Sequence, residues 1–364
     1  MNLSDDEPPP PWRFLVVGVG AVGALIAARL GSVANLTLVV RSQASRERIA
    51  KAGLSVVDAD GTTQVKALHP KDVRVVASVD EVCEEVFDFV IVACKLHQLP
   101  ALAPSLKALA ANDCKTTFLF AQNGVPFFFP QSEDISDAVR GHKLTSVDPS
   151  GALADAVPVS SCLGCALFVC GEIVGDDDSS SSSDVALVVK RTMHGNARER
   201  IHIGAPTKDT HLMSKARELV HVLCVANLDA LLIETPAELW TVMFNKLMGN
   251  VSYNFISALT LCDMGVLSST AVSRKLAGDV MAEARAVGQA CGVSMMSPED
   301  RLKMSDTKHP VRPSTLQDLI RKRPMEIDIL NALIELAQVL KVDTPRMTTL
   351  AVLTQLRGDA VCYL

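Results

Sequence analysis

A lysine and two asparagines recur at intervals of four, Lys246, Asn250 and Asn254, within a largely apolar stretch that opens at Pro236. At 3.6 residues per turn that spacing drifts by only about 40° per step, so all three share one side of a helix. Such a stripe is either solvated or faces something polar, because burying an ammonium and two amides against apolar surface is costly. Two polar turns also stand out. Lys95 and Gln98 follow the apolar run that ends at Ala93, and Gln122-Asn123-Gly124 follows the run that ends at Phe120. Near the amino end, Gly18-Val19-Gly20-Ala21-Val22-Gly23 lies between the apolar Phe14–Val17 and the helix-like Ala21–Leu30. The first glycine of that pattern permits a tight turn, the second lets a pyrophosphate approach the backbone, and the third lets helix and strand pack.

The next strand selects the dinucleotide. An enzyme using NAD carries an acid about 20 residues past the glycines to accept the ribose hydroxyls. No acid occurs between Trp12 and Arg46, and Arg41 ends the run Leu36–Val40. A guanidinium there suits a 2′-phosphate, which points to NADP; a solvated surface arginine is the plainer alternative. Cys162 and Cys165 form a lone pair separated by two residues, with Cys170 nearby and no second half, so no metal site is expected.

These residues need a scaffold. Short, uniformly apolar runs (Phe14–Val17, Leu36–Val40, Phe87–Ala93 and Thr117–Phe120) separated by helical stretches predict a parallel sheet buried on both faces. In such a doubly wound sheet the Lys95 and Asn123 turns both fall at the carboxyl edge, where ligands bind. Residues 150–206 read as short β-type runs, interrupted by an acidic, serine-rich stretch at 176–184 that predicts a flexible insert. Beyond Pro206 the pattern turns helical: one segment from Pro236 through Leu261, another over Ala271–Cys291, and an amphipathic one over Pro324–Leu340. Glu326 stands near the start of the last, where it complements a helix dipole, and Ser314 is placed to cap the helix before it. The expected organisation is α/β: a disordered tail over 1–11, a Rossmann-type dinucleotide-binding domain over 12–235, and an all-helical substrate and catalytic domain over 236–364.

Composition narrows the functions. Of 364 residues, 48% are hydrophobic, 21% charged and only 4% aromatic, with a net charge of -6. That excludes wholesale disorder and disfavours nucleic acid or an anionic membrane as partner. Phe14–Ala28 is too short and glycine-rich to span a bilayer, and the acidic, proline-rich Met1–Pro11 fits no targeting peptide. The ten scattered cysteines form no disulfide framework, so a cytoplasmic protein is expected.

Taken together, the glycine turn, Lys95 with Gln98, Gln122-Asn123-Gly124, Asn245-Lys246 with Asn250 and Asn254, and Ser314-x-Leu316-Gln317-Asp318 followed by Glu326-Ile327-Asp328 resemble the ketopantoate reductase (2-dehydropantoate 2-reductase) family, in order and spacing, from Arg13 to the carboxyl terminus. The resemblance implies NADPH-dependent reduction of ketopantoate to (R)-pantoate, a step of pantothenate and coenzyme A biosynthesis, by a monomer or homodimer. It implies Lys246 as general acid, with Glu326 hydrogen-bonding the oxygen that becomes hydroxyl and contacting the cofactor. Asn250, Asn254, Ser314 and Asn123 would hold the substrate. Gly18 to Gly23, Arg41, Lys95, Gln98 and Asn123 would hold NADPH. The chain departs from the family at Thr315, usually methionine, and at Asn331-Ala332, frequently Asn-Gly. Two other functions stay open: a reductase or dehydrogenase of another 2-oxo or hydroxy acid, and a non-catalytic NADP(H) sensor, against which the pair Lys246 and Glu326 argues.

Overall fold

The structure is a computed structural model that describes residues 12–57, 64–112, 115–169, 171–174, 187–191 and 200–362. The expected tail over 1–11 and insert over 176–184 lie outside the described residues. Among the described residues there are twelve strands: β1 Arg13–Val17, β2 Asn35–Val39, β3 Leu54–Val57, β4 Gln64–Leu68, β5 Arg74–Val76, β6 Phe89–Val92, β7 Thr117–Phe120, β8 Cys162–Phe168, β9 Gly171–Val174, β10 Leu187–Arg191, β11 Arg200–Gly204 and β12 Asp229–Ile233. Eight of them form one sheet in the order β12-β11-β8-β7-β6-β1-β2-β5. All its pairings are parallel except β8 with β11. Its central strands β6 and β7 are buried along their whole length, as in a sheet covered on both faces.

The remaining four strands form a second sheet, β4-β3-β10-β9. The short runs expected within 150–206 therefore divide: β8 and β11 extend the main sheet, while β9 and β10 join the small one.

Among the described residues of this part of the chain the α-helices are α1 Ala21–Leu30, α2 Gln43–Ala52, α3 Leu99–Asn112, α4 Ala152–Ala156 and α5 Thr210–Val225. After β12 the chain is helical, with α6 Pro236–Gly249, α7 Phe255–Thr260, α8 Met264–Ser269, α9 Ala271–Ala290, α10 Pro298–Met304, α11 Ser314–Ile320, α12 Asp328–Leu340 and α13 Pro345–Cys362. Proline at the first position and the Thr235 side chain, which accepts a hydrogen bond from Glu238 N, start α6.

Three expectations are corrected. The single helix predicted from Pro236 through Leu261 is α6 and α7 joined by a wider π-type turn, Asn250–Asn254. The helix predicted from Pro324 begins at Asp328, because Pro324 and the residues after it approach it as a non-helical segment. Ser314 occupies the first turn of α11 without capping it, since Pro313 holds the N-cap position.

One hydrophobic cluster runs from the main sheet into the helical part. At its centre Phe129 packs edge-on to Trp240 of α6 at 4.9 Å and against Phe244 at 5.0 Å between ring centroids. Such aromatic packing fixes α6 over the carboxyl edge of β7 and β8.

Candidate active site

β1 ends in the glycine turn. Gly18 has φ +94°, and a Cβ there would lie 2.7 Å from the Cys94 nitrogen at the end of β6. A Cβ at Gly23 would lie 2.0 Å from the Gly18 carbonyl oxygen. Gly20 differs: a Cβ there would meet nothing within 4 Å. Two glycines are thus demanded by packing, and the middle one faces open space at the start of α1, a helix with no side-chain cap and no acid in its first turn. An amino terminus of this kind, with Val19, Ala21 and Val22 completing the turn, fits the pyrophosphate of a dinucleotide. Arg41 is exposed just past β2 at the same edge. Burial chiefly, and the cations of Lys95 and Arg41 in addition, hold the His97 imidazole below its ordinary pKa against Asp328 and Asp318.

The turn after β6 is internally braced. Gln98 Oε1 accepts the backbone N–H of Lys95 at 3.0 Å. The Lys95 ammonium pairs with the Asp318 carboxylate of α11, bridging the two halves of the chain. Next to it, Glu326 Oε1 accepts the backbone N–H of Leu96 at 3.1 Å. Glu326 and Asp318 are both buried, and burial raises both carboxyl pKa values while the Lys95 charge opposes the rise.

Ala121 follows β7, and the Gln122 amide donates to the carbonyls of Val92 at 2.6 Å and Cys94 at 3.2 Å, tying the ends of β6 and β7 together. Gly124 follows with φ +104°, its α-carbon facing Leu96 and Ile329 where a side chain would crowd. Between them Asn123 points at α6. Lys246 Nζ donates to Asn123 Oδ1 at 2.5 Å, and Asn250 Nδ2 donates to the same oxygen at 3.4 Å. The Lys246 ammonium also stands 6.0 Å from the Phe168 ring centroid.

Polar groups (Gln122, Asn123, Lys246, Asn250) face apolar ones (Cys165, Ala166, Met243, Leu247) across a depression of about 220 Å³. A small polar molecule with an apolar substituent suits such a cleft. The positioned ammonium can stabilise and protonate an oxygen on which negative charge develops.

The structure therefore gathers Lys246, Asn250 and Asn123 in one group, and Lys95, Gln98 and Glu326 in a second around Asp318. Asn254 lies one turn beyond Asn250, half-buried in the wider turn, and Ser314 is exposed at the start of α11, which packs on that turn. Sequence reading missed the walls. Cys165 and Ala166 reach the cleft because β8 lies next to β7, a neighbour relation no local pattern announces. It also left Asp318 without a role, although the residue sits in a quoted segment. Among the described residues no group of three His, Cys, Asp or Glu is placed to hold a metal, and no helix is long and apolar enough to cross a membrane.

A doubly wound sheet with a glycine turn, roofed by helices that lower a lysine onto its carboxyl edge, defines a two-domain oxidoreductase class. Comparison with known proteins gives the family. Residues 14–146 match the model of ketopantoate reductase PanE/ApbA, and residues 238–357 match that of its C-terminal domain. A 2-dehydropantoate 2-reductase of Mesorhizobium japonicum is 30% identical over 358 residues, covering 96% of this chain and 99% of that protein. The crystal structure of a Ralstonia solanacearum protein assigned as a ketopantoate reductase superposes with a TM-score of 0.78 at 26% identity, over 96% of this chain and 99% of the other. D-Mandelate dehydrogenase, solved with NADH and anilino(oxo)acetate, shares the fold with a TM-score of 0.75 at 18% identity, over 96% and 99% of the two chains. The chain belongs to the ketopantoate reductase family, a family of oxidoreductases.

Proposed function

We propose that this protein reduces 2-dehydropantoate to (R)-pantoate with NADPH. The observation that carries the reading is the bond between Lys246 Nζ and Asn123 Oδ1, an ammonium held across a cleft at the edge where the glycine turn opens. The relative of Mesorhizobium japonicum, matched over nearly its whole length, bears the name of that activity.

In this reading Gly18 to Gly23 hold the pyrophosphate, and Arg41 takes the 2′-phosphate that no acid on β2 repels. The nicotinamide, when bound, supplies the hydride. Lys246 hydrogen-bonds the substrate's carbonyl oxygen, opposes the negative charge that grows there, and delivers the proton that completes the hydroxyl. Asn123 orients the Lys246 ammonium, and Asn250 with Asn254 and Ser314 holds the acid's polar groups. Glu326, raised in pKa by burial, accepts or shares a hydrogen bond from the new hydroxyl. The apolar wall of Cys165, Ala166, Met243 and Leu247 receives the substituent of the 2-oxo acid.

A second reading, reduction of another 2-oxo acid, draws on that wall, which is apolar where ketopantoate carries a hydroxymethyl group. Following loss of the reduced-nicotinamide absorbance with ketopantoate, and with 2-oxo acids of graded apolar bulk, tests both. The highest kcat/KM on ketopantoate supports the first; turnover of a different acid with ketopantoate inert replaces it. No turnover of any of them, with NADPH bound, would make the protein a sensor.

A further inference from the structure

Asn245 precedes Lys246, and the chemistry above gives it no task. The structure fixes it twice. Its side-chain Oδ1 accepts the backbone N–H of Met296 at 3.0 Å, and its main-chain carbonyl accepts Nε of Arg301 at 3.0 Å. Arg301 lies in α10, where its Nη1 donates to Ser305 Oγ at 2.6 Å and Ser305 Oγ donates back to the Arg301 carbonyl at 3.1 Å. The guanidinium plane is thereby held at both ends.

The same guanidinium abuts Gly249, the last residue of α6: a Cβ built there would lie 1.9 Å from Arg301 Nη2. It thus fills the side-chain position immediately before Asn250, where α6 gives way to the π-type turn. Helices widen where the regular ladder of i to i−4 bonds is interrupted, and such turns gather at functional sites. Here the Asn250 N–H is shared between the Leu247 and Lys246 carbonyls. The carbonyl one residue earlier has the Arg301 side chain as donor. A guanidinium taken largely out of water is costly unless its donors are used: Nε is spent on the Asn245 carbonyl and Nη1 on Ser305 Oγ, while the same group packs against Gly249.

We propose that Arg301 is a positioning residue: acting through the Asn245 carbonyl and the space at Gly249, it sets the rotation of α6 and the start of the π-type turn, and so aims Lys246 and Asn250 at Asn123. This rests on the reading of Lys246 as the proton donor. An error of about 1 Å in such a group costs roughly 10²-fold in rate, so a brace on the backbone beside it has leverage.

The test uses Arg301→Met and the gentler Arg301→Lys and Ser305→Ala in the full chain. Steady-state constants, NADPH affinity by fluorescence titration and hydrogen–deuterium exchange of residues 245–254 are read together. Expected for Arg301→Met is a fall in kcat of at least about tenfold, with NADPH affinity within about twofold and faster exchange confined to 245–254. Arg301→Lys, which keeps one donor for the Asn245 carbonyl, should recover part of the loss. If Arg301→Met does not fold, a fall of about threefold or more in Arg301→Lys with local exchange decides for the brace. Wild-type kcat and exchange in either folded Arg301 variant overturns it, as does faster exchange spread over the whole protein. Should the wild type reduce no 2-oxo acid, the functional reading fails, while the exchange measurement still answers for the brace.

Discussion

Lys246 has two possible tasks, donating a proton or only contacting the substrate, and kinetics separates them. If it donates the proton, Lys246→Ala lowers kcat by roughly 10²–10⁴ with NADPH binding intact, since the glycine turn and Arg41 lie elsewhere. Unchanged turnover at saturating substrate, with only a raised KM, would remove that role. Arg41 carries the cofactor preference. Arg41→Ala should weaken NADPH by about 1.5–3 kcal/mol while barely changing NADH, because only NADPH offers the phosphate; equal losses in paired titrations would show that Arg41 does not read it. Glu326 carries a pH signature. Burial raises its folded pKa above the unfolded value of about 4.3, so its contribution to stability is fully present below that value and is lost as pH rises through the folded pKa. Glu326→Gln should therefore be less active yet no less stable at neutral pH, and wild type should gain on it as the solution is acidified. Melting curves of both proteins at neutral and mildly acidic pH check this, and a variant that loses stability most at neutral pH would contradict it.

The elements explain which of these residues could be read in advance. The glycine turn, the ends of β6 and β7, and the neighbouring positions of Lys246 and Asn250 were legible because each is local: a turn chemistry or a periodicity inside a dozen residues. The π-type turn at Asn250–Asn254 was not, because its cause lies in α10 and in the space at Gly249, far along the chain. The glycines, which the motif gives different tasks, also differ in the structure. Gly20 has extended backbone, φ -77° and ψ -171°, and open space before it. Gly20→Ala should fold as wild type and weaken dinucleotide binding about tenfold or more, by blocking the approach of the pyrophosphate, a loss of about 1.4 kcal/mol. Gly23→Ala should instead destabilise the fold by about 1–3 kcal/mol, since its Cβ falls on the Gly18 carbonyl. Denaturation and cofactor titration of the pair distinguish the two; a Gly20→Ala protein that binds normally would leave the open face of the turn unexplained.

At the scale of the whole molecule, the candidate cleft exists because two regions are clamped together at several places. Sequence pattern separated sheet from helices near Pro236 but gave no sign of how one sits on the other. That depends on side chains that meet only after folding: Phe129 with Trp240, Lys95 with Asp318, and Glu335 with the loop after β7. The last is the most polar. Glu335, on α12, accepts the Thr145 N–H at 2.8 Å and hydroxyl at 3.1 Å and the Ser146 N–H at 2.7 Å, with His142 Nε2 at 2.9 Å. Burial pushes the Glu335 pKa up, but the hydrogen bonds from Ser146, Thr145 and His142 together outweigh it and hold the carboxyl below its ordinary value. A carboxyl depressed in the folded state contributes stability above its unfolded pKa, about 4.3, and that contribution is lost as pH falls through the folded pKa. Glu335→Gln keeps the shape, removes the charge and turns one acceptor into a donor facing N–H groups. It should cost about 1.5–3 kcal/mol at neutral pH, the range for hydrogen bonds to a charged group. The gap from wild type should then narrow as pH falls below the unfolded value of about 4.3 and through the depressed folded pKa, as the wild-type carboxyl itself takes up its proton. Urea denaturation of both proteins at neutral pH and near pH 3.5 reads it directly. A gap that stays constant across that range would mean the loop is held by shape and not by the carboxylate charge, and the clamp between α12 and the sheet domain would then be no more acid-sensitive than the aromatic contact beside it.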